Sequence, residues 1–287
     1  MVATSEQVAA IVDTYQRAAR ANSTDPNRRG NVIALAADNC DDCLISGDLH
    51  GHVANFETLL RIADLPAHPR RHLVLQEVCH GGPVFENGGC KSFMLLERIA
   101  QLKVEFPEQV HFLLSNHELS ELTDYPILKS KKLLNLMFRL GLEEVYGGAT
   151  EQVREAYCLF IESCPLAVRL TNGVFISHSL PEHMDRRSFD KAVFERPYSA
   201  NDLREHGTIF ELVWGRDHRA DNAHAFAGVV GANLLIHGHE PCTQGFAAPN
   251  DTQVILDCCG GNACYVLLPV AEPLTHSQLV AKIQTLA

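Results

Sequence analysis

The sequence predicts an α/β protein built around mostly parallel strands. Short apolar runs rich in branched residues recur from residue 32 onward, and they are too brief to be buried helices. Segments with helical periodicity separate the early runs, which is the pattern of βαβ units. A chain of 287 residues can bury about three quarters of its unfolded surface, so its core needs neither disulfides nor a structural metal.

The first predicted element is an amphipathic helix over residues 5–21, and we expect it to pack on the outside of the domain. The apolar residues on its predicted face are Val8, Ile11, Val12 and Tyr15. We therefore divide the chain into residues 1–30, which form a helix and linker, and residues 31–287, which form the main domain.

Eight apolar runs are predicted to be buried strands. These runs cover residues 32–36, 43–46, 73–76, 110–115, 174–177, 233–236, 254–256 and 265–268. Helices are predicted between the early runs at residues 53–62 and 91–104. Residues 126–162 have helical periodicity throughout, which predicts a helical insertion.

The composition excludes several classes of protein. A net charge of -11 argues against broad contact with nucleic acid, because binding to a polyanion depends on clusters of Lys and Arg. The mean hydropathy of -0.05 is typical of soluble globular proteins and argues against membrane spans. The chain has ten cysteines and begins without a hydrophobic signal sequence, so we expect reduced thiols, no disulfides and a cytoplasmic location.

Five of the predicted strands end in acidic, histidine or asparagine residues. In open α/β sheets, ligand sites lie at the carboxyl ends of the strands, so these loops are candidates for one shared site. A single such loop is often an ordinary turn or a sheet-edge histidine, but five in one chain favour convergence. The five motifs are GDLHG at 47–51, QEVCHGG at 76–82, SNHE at 115–118, SHS at 177–179 and HGHE at 237–240.

The residue types in these loops are typical ligands of divalent metals. Asp48 and His50 stand two positions apart, and a carboxylate beside an imidazole suits Mn, Fe or Zn better than Ca or Cu(I). The amide of Asn116 and further imidazoles can complete a second coordination sphere. In such two-metal sites a shared carboxylate bridges ions about 3.5 to 4 Å apart.

The order and spacing of these motifs resemble those of the calcineurin-like metallophosphoesterases, and within them the phosphoprotein phosphatase branch. The resemblance runs from about residue 43 to residue 265, which is most of the chain. It implies a two-sheet β sandwich flanked by helices, with two divalent metal ions at one rim.

The resemblance also implies a role for each matching residue. The first metal would be held by Asp48, His50 and His239, and the second by Asn116 and His178. Glu77 would bridge the two ions. His117 would be the general acid that protonates the leaving oxygen.

The second motif departs from the family, which usually has G-D-x-x-D-R-G at this point. Glu77 stands in place of aspartate and lengthens the ligand arm by one methylene group. His80 stands where the family has the aspartate that orients the catalytic histidine. His80 and Glu118 are therefore the candidate orienting residues for His117.

The arginine that grips phosphate in the family motif is replaced by Gly81. Losing a guanidinium group should weaken phosphate binding, because its fork-shaped donors match phosphate oxygens. Arg216 lies in the region that supplies another substrate arginine in the family, and it is the candidate substrate-binding residue. Arg219 is the competing choice.

The expected activity is therefore that of a dinuclear metal-dependent phosphatase. It would hydrolyse phosphomonoesters, with phosphoserine or phosphothreonine in proteins as the expected substrate, through attack of metal-activated water on phosphorus. The expected partner is a phosphorylated protein or a small phosphoester, with no role for nucleic acid or membrane. Two alternatives stay open: a hydrolase of diadenosine polyphosphates or phosphodiesters, and a catalytically weakened homologue that only binds phosphate.

Overall fold

The computed structural model describes residues 2–286. The helices are α1 (Ser5–Ser23), α2 (Val53–Ala63), α3 (Ser92–Glu105), α4 (Asn116–Thr123), α5 (Leu134–Tyr146), α6 (Thr150–Ser163), α7 (Ala200–Leu203), α8 (Thr208–Trp214), α9 (Ala220–Val230) and α10 (His276–Val280). Short 3-10 helices cover Gly147–Ala149 and Lys191–Phe194.

The strands are β1 (Arg28–Arg29), β2 (Val32–Leu35), β3 (Asp42–Asp48), β4 (Arg71–Gln76), β5 (Val110–Phe112), β6 (Leu128–Lys129), β7 (Lys132–Leu133), β8 (Ala167–Leu170), β9 (Val174–Ser177), β10 (Leu234–His237), β11 (Phe246–Ala247), β12 (Gln253–Leu256), β13 (Cys264–Pro269) and β14 (Ile283–Thr285). Every predicted strand corresponds to one of these. The strands that were not predicted are β1, β6, β7, β8, β11 and β14.

Two β-sheets form the centre of the molecule. The larger sheet has the order β1-β2-β8-β9-β10-β12-β11, and the smaller has the order β14-β13-β3-β4-β5. One core lies between the sheets, and residues such as Ile45 of β3, Val74 of β4 and Ile236 of β10 fill it. Alternate residues on the same strands, such as Leu44 and Leu235, belong to a second core that includes the helices. The predicted β sandwich flanked by helices is confirmed.

The sheets are mixed, so the prediction of a mostly parallel sheet was wrong. Strands β3, β4 and β5 run parallel to one another, as do β9, β10 and β12. Strand β8 is antiparallel to β9, and β13 is antiparallel to β3. Only residues 171–173 connect β8 to β9, and a connection this short permits a hairpin but no parallel crossover.

Helix α1 packs against α3 and α6. A capping box between Thr4 and Gln7 begins the helix, which matches the predicted one closely. Tyr15 is almost completely buried against the rings of Tyr157 and Phe160. The helix therefore shares its core with the elements that follow residue 31.

The sequence predicted that residues 126–162 are helical throughout, and this prediction was wrong. Helices α5 and α6 are present, but β6 and β7 form a hairpin before them. Its two-residue turn places Ser130 and Lys131 at φ values of +51° and +65°. The turn has no glycine, which is the usual signal for this conformation, so the helical periodicity of the neighbouring residues dominated the prediction.

The carboxyl ends of β3, β4 and β5 in one sheet and of β9, β10 and β12 in the other meet at one rim. An isolated parallel bridge between Asp48 and Asp257 joins the end of β3 to the residue after β12. The loops that carry the five motifs leave the sheets at this rim. No helix within residues 2–286 has the length and apolarity needed to cross a membrane.

Candidate metal centre

Asp48 is the last residue of β3, and His50 lies in the loop that follows it. Oδ2 of Asp48 accepts a hydrogen bond from the backbone N–H of His239, at 2.8 Å. His50 has a φ of +41°, and its Nδ1 lies 3.0 Å from the carbonyl oxygen of Cys79. Its other nitrogen, Nε2, lies 3.3 Å from Oε2 of Glu77. The loop therefore brings its imidazole to the carboxylate that follows β4.

Glu77 is buried at the centre of the cluster. Its Oε1 accepts hydrogen bonds from Oγ of Ser115 at 3.3 Å and from the backbone N–H of His117 at 3.2 Å. The same oxygen lies 3.7 Å from Nε2 of His178. The carboxylate thus faces residues from three different loops.

Asn116, His178 and His239 complete the cluster. Ser115 caps the N-terminus of α4, so Asn116 is the first residue of that helix. Its side-chain oxygen lies 2.7 Å from Nε2 of His178 and 2.9 Å from Nδ1 of His239. All six predicted ligands are therefore brought together, although their roles as ligands remain a prediction.

Buried polar atoms without partners indicate that the cluster fits a cation. Among the described residues, Oδ1 of Asp48, Nδ1 of His178 and Nε2 of His239 are buried and make no hydrogen bond. The first two of these atoms are 3.7 Å apart. A buried polar atom that loses its water without gaining a partner costs about 1–3 kcal/mol. Carboxylate and imidazole groups converging in this way are the ligand set of Mn, Fe or Zn.

Four residues of the site have left-handed backbone conformations. The φ values are +41° for His50, +28° for Glu77, +63° for His80 and +68° for His239. Non-glycine residues rarely adopt these conformations, which cost of order 1–3 kcal/mol each and cluster at functional sites. These conformations therefore lower the stability of the fold, but they orient the four side chains.

The carboxyl groups of Asp48 and Glu77 are both buried, and burial disfavours their charged forms. Burial, together with the negative charge of Glu118, raises the pKa of Glu77 to about 8. Burial and the neighbouring Glu77 also raise the pKa of Asp48 well above its usual range. A bound cation removes this penalty, because it stabilises both carboxylates.

Burial has the opposite effect on the imidazoles. It holds the pKa values of His117, His178 and His239 well below the ordinary value of 6.5, and neighbouring imidazoles, together with Arg216 for His178 and His239, lower them further. Neutral imidazoles are the form that binds metals, so the site is prepared for ligation in its resting state.

These shifts predict a pH dependence for the stability of the metal-free protein. Between pH 7 and about 8, the folded state retains a proton on Glu77 that the unfolded chain has lost, since the unfolded pKa is 4.5. The free energy of unfolding should therefore fall as pH rises, by up to about 1.4 kcal/mol per pH unit. Thermal unfolding at several pH values in a chelating buffer measures this fall in the free energy of unfolding. Glu77→Gln should reduce the fall and leave the part due to Asp48, whose pKa burial raises in the same direction, and an unchanged slope in that variant would contradict the assignment.

A chain of hydrogen bonds leads away from His117. Its Nδ1 lies 3.0 Å from Nδ1 of His80, and Nε2 of His80 lies 2.7 Å from Oε1 of Glu121. The other candidate orienting residue, Glu118, faces the loop after β4. There its Oε1 accepts the backbone N–H groups of Val78 and Cys79 at 2.9 and 2.8 Å. Of the two predicted orienting residues, only His80 is thus placed against the His117 ring.

Arg216 lies at the rim of the site. Its Nη1 is 2.7 Å from Oε2 of Glu240 and donates to the carbonyl of His239 at 3.3 Å. The competing candidate, Arg219, pairs instead with Asp185 and Asp217. These contacts favour Arg216 as the substrate-facing arginine.

Two glycines show why the loops have no side chain at certain points. A Cβ at position 81 would lie 2.4 Å from the carbonyl oxygen of His50, so an arginine could not replace Gly81 without moving that loop. A Cβ at position 238 would lie 2.1 Å from Oδ1 of Asp48. Both values are far inside van der Waals contact, so neither position can carry a side chain unless its neighbours move.

The site opens into a cavity of about 360 Å³. It is lined by Asp48, His50, Glu77, Asn116, His117, Ile127, Leu128, Lys129, Trp214, Arg216, His239, Glu240, Pro241, Asp257 and Cys259. Lys129 and Arg216 are its two cationic lining residues within residues 2–286. His178 lies deeper and is completely buried.

No protein-family model and no curated protein matches this chain. Solved structures do match it. A protein serine/threonine phosphatase from Saccharomyces cerevisiae, described as similar to human phosphatase PP5, is 13% identical with a TM-score of 0.69, over 97% of this chain and 89% of its own. A cold-active protein-tyrosine phosphatase from a psychrophilic Shewanella is 13% identical with a TM-score of 0.57, over 91% and 83%. The chain has the calcineurin-like metallophosphoesterase fold.

Within this metallophosphoesterase fold, sequence inspection missed three residues of the site. Asp257 follows a predicted strand, so the pattern that indicated the other five loops applies to it too. Glu121 stands four residues after His117 on α4, which places both on one helical face. Lys129 was missed because its segment was predicted to be helical.

Proposed function

We propose that this chain is a dinuclear metal-dependent phosphatase that hydrolyses phosphomonoesters, with phosphoserine or phosphothreonine in proteins as its substrate. The observation that carries the proposal is the convergence of six potential ligands, three of which have buried polar atoms without a partner. The first metal is assigned to Asp48, His50 and His239, the second to Asn116 and His178. Glu77 is assigned to both.

The metals would be Mn, Fe or Zn, which accept mixed oxygen and nitrogen ligands. When bound, two such ions would neutralise charge on the phosphoryl oxygens and acidify the attacking water. The ligand residues hold their positions through the backbone contacts described above, notably the His239 N–H to Asp48. Phosphoryl transfer depends mainly on positioning and on charge neutralisation, which this arrangement supplies.

The remaining steps belong to residues that line the cavity. Lys129 and Arg216 would bind the phosphate oxygens, because they are its cationic lining residues within the described chain. Nε2 of His117 lies 4.0 Å from Oε1 of Glu77, so this nitrogen faces the cluster. It would donate a proton to the leaving oxygen. Lys129 and Arg216 would thus replace the phosphate-binding arginine that the second motif lacks at Gly81.

The substrate class rests on the structural likeness and on the open cavity. The yeast neighbour is named a serine/threonine phosphatase, and the Shewanella neighbour a protein-tyrosine phosphatase. All ten cysteines are free thiols, which is consistent with the reducing conditions of the cytoplasm. We therefore propose a cytoplasmic phosphoprotein as the partner.

The full-length protein, loaded with Mn, should be assayed on six substrates. They are phosphoserine, phosphothreonine and phosphotyrosine peptides, para-nitrophenyl phosphate, its bis ester and a diadenosine polyphosphate. We expect the highest kcat/KM on the phosphoserine or phosphothreonine peptide and little turnover of the bis ester. Preference for the bis ester or the dinucleotide would contradict the proposal, and so would the absence of turnover on every substrate.

A further inference from the structure

The hydrogen bonds behind His117 form a buried series of three residues. The two Nδ1 atoms of His117 and His80 are 3.0 Å apart, and Nε2 of His80 is 2.7 Å from Oε1 of Glu121. The side chains of His80 and Glu121 are both completely buried. Solvent therefore cannot replace any contact in this series, and each nitrogen needs a defined role as donor or acceptor.

Glu121 is surrounded by donors. Nδ2 of Asn135 lies 3.0 Å from its Oε1, and the hydroxyl of Tyr157 lies 3.1 Å from its Oε2. The backbone N–H of Ile127 donates to Oδ1 of Asn135 at 3.0 Å, so the NH₂ group of this amide points at Glu121. With His80, three donors converge on the carboxyl group. A carboxylate, which only accepts, fits this environment.

The donors determine how each imidazole is protonated. Because Glu121 accepts, Nε2 of His80 carries the proton between them. We take His80 as neutral, so that its Nδ1 is bare and can only accept. Nδ1 of His117 must therefore be the donor in the contact between the two rings.

Packing holds the rings in this order. The ring of Phe138 lies edge-on to that of His80, with centroids 5.6 Å apart. The backbone N–H of His80 donates to Oγ of Ser92 at 3.0 Å, and this fixes a residue whose φ is +63°. His117 and Glu121 lie one turn apart on α4. The helix therefore fixes the distance between these two side chains, and the His80 ring lies between them.

We propose that Glu121 is a positioning residue that acts through His80 to keep the Nδ1 proton on His117 and so reserve Nε2 for the reacting phosphoester. This inference rests on the proposed function, in which His117 is the general acid. In the reaction, His117 acts as the imidazolium, whose second proton, on Nε2, is taken up from solvent before the ester reacts. That Nε2 proton moves to the ester oxygen as the P–O bond breaks and the electron pair of the bond stays on that oxygen, while the proton lost by the attacking water returns to solvent. His117 is left neutral with its Nδ1 proton in place, and water supplies the new oxygen on phosphorus.

The first test reads the protonation pattern directly. Histidine ring ¹⁵N NMR on the full-length, metal-free protein, with signals assigned from His117→Asn, distinguishes protonated from bare nitrogens. We expect a protonated Nδ1 on His117 and, on His80, a protonated Nε2 with a bare Nδ1. A protonated Nδ1 on His80 would overturn the proposal. This measurement needs no turnover, so it stands even if the proposed function fails.

The second test uses Glu121→Gln, with Glu97→Gln as the matched control. Glu97 is partly buried, and its partner is the hydroxyl of Tyr146. In Glu121→Gln, kcat on phenyl phosphate should fall about 10- to 100-fold with an unchanged KM. The fall on para-nitrophenyl phosphate should be smaller, because its better leaving group needs less help from an acid. Equal falls on both substrates, or the same pattern in Glu97→Gln, would overturn the positioning role. If Glu121→Gln does not fold, the proposal is tested by the histidine NMR pattern of the wild-type protein alone.

Discussion

His117→Asn should lower kcat by about 10² to 10⁴, the range typical of a general acid, while KM changes little. His117 faces the cluster through Nε2, and its backbone N–H donates to Glu77 at 3.2 Å. Asparagine keeps the backbone contact but has no proton of suitable acidity. Steady-state kinetics on phenyl phosphate and para-nitrophenyl phosphate measure the effect.

The control for this variant is His68→Asn. His68 is exposed and lies just before β4, at the opposite end of the sheet from the site, where its Nδ1 is 3.0 Å from the carbonyl of Asp64. It should behave as the wild-type protein. The metal content of His117→Asn should also stay unchanged. Loss of an ion in this variant would make His117 a ligand instead of an acid.

Glu77→Gln should lose at least one metal ion and most of the activity. Its carboxylate lies 3.3 Å from His50 and 3.7 Å from His178, so it contacts one proposed ligand of each ion. The amide has no charge and only one good acceptor atom. Mutating a residue that only hydrogen-bonds to a metal ligand typically lowers metal affinity about 10- to 100-fold. Because Glu77 is itself a proposed ligand, we expect its mutation to lower metal affinity on the order of 100-fold or more.

Elemental analysis after Mn loading and titration calorimetry measure this loss. Glu97→Gln again serves as the control, and it should bind as much metal as the wild-type protein. Full retention of both ions by Glu77→Gln would place the bridging group elsewhere. Asp257, which lines the same cavity, would then be the next carboxylate to test.

The ligand cluster could be predicted from sequence because its signals are local. Each predicted ligand stands at or just after the end of a predicted buried strand, as Asp48 and His178 do. Parallel strands bring their carboxyl ends to one edge, so position along the chain was enough to predict proximity. The two-sheet arrangement, in contrast, followed only from the family resemblance.

The surroundings of His117 could not be predicted in the same way. Glu121 reaches His80 across 41 residues of chain, through the packing of α4 against the loop after β4. Glu118 looked equally suitable in sequence, but its position on α4 directs it to the backbone of Val78 and Cys79. Which of two nearby acids faces a given imidazole depends on helix rotation, and the sequence does not specify that.

Lys129 shows a second kind of limit. The segment around it has helical periodicity, yet contacts with Asn135 and the positive φ values of Ser130 and Lys131 produce a hairpin. Tertiary contacts here override local propensity. The result is a lysine at the cavity, opposite in charge to a phosphate substrate, in a chain whose net charge is -11.

The central claim is that these loops bind two adjacent divalent ions, and anomalous diffraction from crystals soaked in Mn²⁺ tests it most directly. We predict two neighbouring manganese peaks, one against Asp48, His50 and His239 and the other against Asn116 and His178. Glu77 should contact both ions. No manganese at this rim under saturating Mn²⁺, or peaks only at surface carboxylates elsewhere, would contradict the claim.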